Sequence, residues 1–555
     1  MRPWILAAAC VLLAACSVRG HATQGGAADL ILTGGKVFTA DPARPWAEAV
    51  AIRGDRIVAV GTMAEVGRLA GASTRTVALE GRVVVPGFND AHDHVGGGEY
   101  GARFVADPSP MPDPPFAQVL DSVRALAART PPGTWLHTDI GMRILQDTAA
   151  RRAALDLAAP RHPVLLWAWT GHGGVVNTAA LRGFGIADDA RDPAGGWYER
   201  DAAGRLTGAM HEYAEWAALR QLHSGLADSV VVASLRGYAA RAAGMGITSV
   251  QAMNGYFDPA KTVRVLREAR LPIRFRAIPF MMTSASGRST AEWRGVERNP
   301  APGSVISGTK WIIDATPIDR NAFMRRPYAD QPGWYGRMNF PVDTLRAMLA
   351  EALATREQLM LHVAGDASLR AVFTAMQSLA PDSVWRSHRL RIEHGDWLGG
   401  EMIPVARRLG IVLVQNPTHL ALDPAMLRQR FGEVPADFQP LRSVLEAGVP
   451  LAFGSDGPNN PFLNLMLAVI HPTHPDEALT MEQAVTAYTR GSAYAEFAEA
   501  EKGTLAPGML ADLAVLSQDI FTIPPPALPG TTSVLTLVGG TVVHDGLSGQ
   551  VTERR

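Results

Sequence analysis

The chain is 555 residues long, 47% hydrophobic and 19% charged, with a formal net charge of -1 at pH 7. That length exceeds one ordinary core, so a large domain with at least one smaller companion is expected. A near-neutral balance with no basic tail and no internal repeat argues against nucleic-acid or polyanion partners.

The N-terminus reads as a targeting segment. Arg2 supplies the positive region, and Ile5 to Ala15 form an apolar run too short to span a bilayer. The run ends in Leu13-Ala14-Ala15-Cys16, which resembles a bacterial lipobox; an ordinary secretory signal with a chance cysteine is the plainer alternative. The expectation is an exported bacterial lipoprotein, lipidated on Cys16 and facing the periplasm, whose only membrane contact is its lipid. Residues 1–15 would be the signal peptide and 16–28 a tether. Cys10 and Cys16 are the only cysteines. Cleavage before Cys16 removes Cys10, so no thiol remains for a disulfide or a metal.

From Asp29 to Val84, short strands alternate with turns: Leu30-Ile31-Leu32, Lys36-Val37-Phe38, Val50-Ala51-Ile52 and Ile57 to Val60. The far end is similar, with Ala511 to Leu516, Val534 to Val538 and Thr541 to Val543. One small β-sandwich built from both termini, residues 29–84 and 501–555, is the economical architecture. Between them, apolar strand-like runs recur, each followed by a helical pattern: Val83 to Ala91, Met245 to Ala252, Ile273 to Phe280, Thr309 to Ile313, Leu359 to Val363, Leu390 to Glu393, Ile411 to Gln415 and Val449 to Phe453. Eight such units predict an α/β fold, a (β/α)8 TIM-type barrel over residues 85–500. Thr480-Met481-Glu482-Gln483 has the pattern of a capping box opening the helix after the last strand. The first gap is too long for a crossover, so residues of about 96–240 are expected as an inserted lobe over the barrel mouth.

In such a barrel the functional groups lie at the C-terminal ends of strands. His92 and His94 follow the first strand, and in extended backbone residues i and i+2 face the same side. A His-x-His pair alone is modest support for a metal. Later strand ends add Lys310, His362, His394 and Asp456 to the same mouth. Lys310 carries its own argument, because Lys36, Lys261, Lys310 and Lys502 are the only lysines in an arginine-rich chain. Arginine cannot serve where a nucleophilic amine with a movable pKa is needed, and a buried amine loses its charge readily. A neutral Lys310 could take up carbon dioxide as a carbamate able to bridge two cations; an ion pair with Asp314 or another acid is the alternative.

Together these residues resemble the amidohydrolase superfamily, within it the amidohydrolase 3 branch of N-substituted formamide deformylase-like and YtcJ-like metal-dependent hydrolases. The motifs are Pro86-Gly87-Phe88-Asn89-Asp90-Ala91-His92, Gly171-His172 with Asn177 and Ala179-Ala180-Leu181, Gly195-Gly196, Thr207-Gly208 with Glu212, Gly246 to Val250, and the strand ends above. Two departures stand out: Asp93 separates the paired histidines and should face away from the metal, and Ala315 follows Asp314 where the family often has glycine.

The resemblance implies a metal site with His92 and His94 on the more buried ion, His362 and His394 on the outer ion, and carbamylated Lys310 bridging. Asp456 would ligate weakly and act as general base towards a metal-activated hydroxide, then as acid towards the leaving nitrogen. A donor set without sulfur favours one or two Zn²⁺, with Mn²⁺ or Fe²⁺ open. His172 is the candidate to polarise the substrate carbonyl. Asp366 and Asp396 either orient histidines or cap helices. Trp167, Trp169, Met281, Met282 and Met324 are core or pocket residues, and His419 is placed where it can reach the mouth. The expected reaction is hydrolysis of a non-peptide C–N bond in a small molecule, an N-acyl or N-formyl amide or a cyclic amide. A lactone or ester hydrolase, or a non-catalytic lipid-anchored binding protein, are the rivals. A homodimer is left open.

Overall fold

A computed structural model describes residues 26–108, 113–141, 143–434 and 437–547. The signal and Cys16 lie outside the described residues. Leu30–Phe38 pairs antiparallel with Trp46–Arg53 and parallel with two strands in turn, Arg75–Ala78 along its first half and Val83–Pro86 along its second. From the other terminus, Leu513–Leu516 lies antiparallel to Val83–Pro86, and Ser533–Val538 and Thr541–Asp545 continue the sheet. Both ends thus build one eight-stranded mixed sheet. Leu32, Val50 and Val84 share an apolar cluster with Leu513 and Leu537, and the Ile57 amide donates to the Met509 carbonyl at 2.9 Å. The sheet therefore closes on itself in a sandwich-like way.

The run from Val83 to Ala91 is two strands rather than one. Val83–Pro86 belongs to the terminal sheet and β1 (Phe88–Asp93) to the barrel. Pro86 cannot donate to a ladder, and the chain changes sheets at Gly87. The Gly87 amide reaches the Asp512 carbonyl while that of Phe88 reaches Gly246, each at 3.0 Å. Gly87 is required here because a Cβ would lie 2.2 Å from the Thr248 side chain.

The barrel continues with β2 (Ile247–Asn254), β3 (Arg274–Pro279), β4 (Thr309–Ile312), β5 (Leu359–Val363), β6 (Arg391–His394), β7 (Val412–Gln415) and β8 (Leu451–Phe453). Pairings β1–β2–β3 and β4–β5–β6–β7–β8 are all parallel. A parallel bridge from Phe280 to Lys310 joins β3 to β4. At the other seam, the Asp456 amide donates to the His92 carbonyl at 2.9 Å, joining the end of β8 to the end of β1. The strands are almost wholly buried, as expected where helices cover the sheet outside and side chains fill it inside.

Between β1 and β2 a separate six-stranded sheet runs from Ala102 to Glu212, with its own apolar cluster around Val123, Leu136, Leu155 and Val164. The helix Asp228–Gly244 then returns to the body, where the Thr536 hydroxyl donates to the Ala243 carbonyl at 2.7 Å. The capping box at Thr480 and Gln483 forms as expected. The helix Pro461–Ile470, capped by Asn460, comes before it, so the box does not open the first helix after β8. Among the described residues no helix is long and apolar enough to cross a membrane.

Candidate metal centre

His92 sits at the end of β1, fully buried. Its Nδ1–H donates to Glu393 Oε2 at 2.6 Å, which leaves Nε2 bare; that nitrogen has no hydrogen-bond partner and lies 3.6 Å from Asp456 Oδ1. His94 Nε2 is 3.5 Å from the same oxygen. Asp93, between them, turns away: its carboxylate accepts from Tyr238 Oη and Asn459 Nδ2, each at 2.6 Å. Asp90, beneath, accepts from the Ser455 hydroxyl and amide at 2.5 and 2.9 Å and so ties β1 to the loop carrying Asp456.

His394 closes the other side. Asn416 Nδ2 donates to the Gly454 carbonyl at 2.9 Å, so its amide oxygen faces the imidazole and accepts from His394 Nδ1 at 2.8 Å. That fixes the His394 tautomer and frees Nε2. The His362 ring lies 4.3 Å from that of His394, and its buried Nε2 has no partner. Lys310, on β4, is buried with its Nζ unpartnered. The alternative pairing with Asp314 does not form, because Asp314 accepts the amides of Phe323, Ala364 and Gly365 instead. The structure thus brings His92, His94, Lys310, His362, His394 and Asp456 to one end of the barrel.

Among the described residues, two sets of donors converge closely enough to hold an ion: His92, His94 and Asp456, and His394, His419 and Asp456. His419 stands 3.7 Å from Asp456 through Nε2 and 3.4 Å from Asp396 through Nδ1. Asp396 therefore serves His419 rather than His394, while Asp366 binds Arg325 at 2.7 Å and orients no histidine. The backbone at His394 (φ 68°) and Asp456 (φ 49°) is left-handed. Such conformations cost about 1–3 kcal/mol each and persist where surrounding contacts hold them.

The charge environment suits a metal. Burial drives His94 down to about 3 and pulls His92, His362 and His394 below the ordinary histidine range, which keeps the imidazoles neutral and able to ligate. Burial likewise brings Lys310 to about 8 against the opposing pull of Glu393 and Asp456. Glu393 resists burial because Arg391 and His92 stabilise its anion, and it is held at about 2. Among the described residues, unpartnered buried nitrogens on His92 and His362, an unpartnered amine on Lys310 and His94 Nε2 beside the Asp456 carboxylate make a donor set suited to a divalent cation, and the residues fit the group the fold implies.

The insert contributes a second face. His172 Nδ1–H donates to Glu212 Oε1 at 2.9 Å, and Asn339 Nδ2 donates to the other Glu212 oxygen at 2.9 Å. Burial opposes protonation of His172, yet Glu212 raises its pKa above the ordinary value. Its ring is 4.7 Å from His362. The Trp216 indole stacks on His94 at 5.4 Å. Trp167 and Trp169 are half-buried, whereas Met281, Met282 and Met324 are buried in the main core. Trp216, Glu393 and Asn416 were not singled out from sequence. Glu393 had a signal, since an acid directly before a strand-end histidine is unusual inside an apolar strand; Trp216, mid-helix, had none.

The chain matches the amidohydrolase family over residues 75–544. It is 28% identical over 538 residues to N-substituted formamide deformylase of Arthrobacter pascens, covering 88% of this chain and 94% of that protein. It is also 28% identical to Protein LONG AFTER FAR-RED 3 of Arabidopsis thaliana, covering 89% of this chain and 88% of that one. Among solved structures, an uncharacterized metal-dependent hydrolase from Pyrococcus horikoshii superposes with a TM-score of 0.68 at 19% identity, over 90% of this chain and 99% of its own. An adenosine deaminase from Xanthomonas campestris with bound zinc gives 0.52 at 15% identity, over 95% and 97%. These two likenesses speak to the fold, and the family match speaks to descent. The chain belongs to the amidohydrolase family.

Proposed function

We propose that this metal-dependent amidohydrolase acts on an N-formyl or N-acyl amide, or a cyclic amide, of a small molecule. The observation that carries the reading is the convergence, among the described residues, of unpartnered His92 Nε2, His362 Nε2 and Lys310 Nζ on one mouth with Asp456, which His94 Nε2 approaches to 3.5 Å. The deformylase relative supports an N-substituted amide as the substrate class.

His92, His94, His362, His394 and Asp456 would hold one or two divalent ions, Zn²⁺ by preference for N and O donors. Such an ion supplies Lewis acidity, lowering the pKa of water and polarising a carbonyl. Asp456, kept anionic although buried by the nearby His92 and His419, takes the proton of the attacking water and returns it to the leaving nitrogen. His172, whose proton affinity Glu212 raises, would donate from Nε2 to the carbonyl oxygen as that oxygen gains charge. Lys310 as a carbamate adds a bridging anion; its burial and lack of any hydrogen-bond partner support the modification.

The N-terminal sequence supports an exported lipoprotein, with Cys16 lipidated and the catalytic body held at a membrane surface by that lipid alone. Intact mass of membrane-extracted protein tests this: a lipid on Cys16 is expected, and a free, unmodified terminus overturns it.

The reaction is tested by metal analysis together with turnover of an amide, ester and lactone library, wild type beside Asp456→Asn. Amide turnover lost in the variant is expected. Stoichiometric metal with no turnover of any class removes the hydrolase, and turnover of esters or lactones alone assigns those instead.

A further inference from the structure

At the N-terminal end of the barrel, away from the metal ligands, a cavity of about 580 Å³ is lined by Arg274, Arg276, Ala301, Ser304, Glu496 and Lys502. Arg276 is only 5% exposed. Its guanidinium donates to Ser307 Oγ at 2.9 Å, to Gln358 Oε1 at 3.0 Å and, longer, to Gln251 Oε1 at 3.5 Å. All three acceptors are neutral, and these bonds use three of its five N–H donors.

The carboxylates that face Arg276 are each engaged elsewhere. Glu496 is held by Lys502 at 2.8 Å, Glu393 by Arg391 at 2.7 Å and Glu357 by Arg298 at 2.7 Å. The neighbouring Arg274 is likewise matched by Asp512 at 2.6 Å. Among the described residues no carboxylate forms an ion pair with Arg276. The barrel floor therefore carries one more positive than negative charge. An arginine does not shed its charge in a protein, and a buried charge without a counter-ion is costly. Burial already weakens its hold on the proton, bringing it to about 10.

We infer that this cavity binds a small monoanion, a carboxylate, on Arg276 and Lys502. The two unused guanidinium donors match a planar carboxylate, and Lys502 has one ammonium hydrogen left after Ser249 and Glu496, each at 2.8 Å. The deficit is a single charge, and Glu496 on the cavity wall disfavours a dianion. Occupancy bears on the far end of the barrel, because Gln251 Oε1 also accepts from Arg391, which holds Glu393 against His92. The inference does not depend on the reaction proposed above.

The test is thermal unfolding of the metal-loaded full chain in acetate against chloride at equal ionic strength. A ligand of the native state raises Tm in a saturable way. The acetate increment is expected in wild type and in Asp456→Asn, whose floor is intact, and is expected to vanish in Arg276→Gln. Ala301→Glu, which brings a tethered carboxylate to the cavity wall, should cancel the response while keeping the arginine. An equal increment in wild type and Arg276→Gln, or none over chloride in wild type, overturns the site. Should Arg276→Gln fail to fold, an undiminished response in Ala301→Glu overturns it. A larger increment from inorganic phosphate than from acetate overturns the carboxylate.

Discussion

His92 Nδ1 lies 2.6 Å from Glu393 Oε2, and both side chains are completely buried. Glu393 is in turn gripped by Arg391 through Nε at 2.7 Å and Nη2 at 2.9 Å, and Arg391 also donates to the Ala91 carbonyl at 2.6 Å. The backbone before His92 and the proton on its ring are thus set by the same arginine–glutamate pair. Glu393→Gln keeps the shape but removes the charge that would make His92 a strong ligand. Metal affinity should fall about 10–100-fold, the usual cost of losing such a partner. Chelator competition measures it; wild-type affinity in the variant would show that His92 needs no help from Glu393.

Gly454 is where the end of β8 passes against β1. A Cβ there would lie 2.3 Å from the His92 amide nitrogen and 2.6 Å from its Cβ. Gly454→Ala must therefore push the two strands apart, at a cost of about 1–3 kcal/mol or more for an overpacked core. Lower stability in denaturant titration should come with lower metal content, because the displaced residue is a proposed ligand. Full metal content in a destabilised variant would separate the seam from the site.

Much of this was readable beforehand, and the rest had physical reasons to be hidden. The eight strands announced themselves because each is a short apolar run, and strand ends in a barrel share one mouth, so His92, His94, Lys310, His362, His394 and Asp456 could be assembled from spacing. The split at Pro86-Gly87 is hidden in the sequence, since Val83–Pro86 and β1 are both buried runs and only pairing partners distinguish them. Trp216 reaches His94 from a helix of the insert, a tertiary contact without local periodicity. Asn416 and Glu393 act by hydrogen-bond direction, which a one-dimensional pattern does not carry.

His172, Glu212 and Asn339 form a chain of hydrogen bonds from three separate segments, and Glu212 holds it from a left-handed backbone, φ 54°. None of the three belongs to the two donor sets around Asp456. Glu212→Gln should therefore lower kcat by about 10²-fold, the scale of a lost proton donor or oxyanion partner, with metal content unchanged. Loss of metal together with activity would instead make this chain of bonds a support for the ligands.

Lys310 is the sharpest test of the site. An ordinary buried lysine keeps its charge by pairing with an acid, yet Asp314, four residues on, is taken up by three backbone amides, Glu393 is held by Arg391 and His92, and among the described residues Nζ has no hydrogen bond. The proposed carbamate would resolve this: it would turn a cation that repels metal into an anion able to bridge two ions, at a buried position that already feels the charges of Glu393 and Asp456. Arginine can keep the positive charge but cannot take up carbon dioxide. Lys310→Arg should abolish turnover and lower bound metal by about one equivalent, as expected of a two-ion site that loses its bridge. Elemental analysis and turnover read the two effects separately, and a fully active Lys310→Arg would exclude the carbamate while leaving the histidine ligands standing.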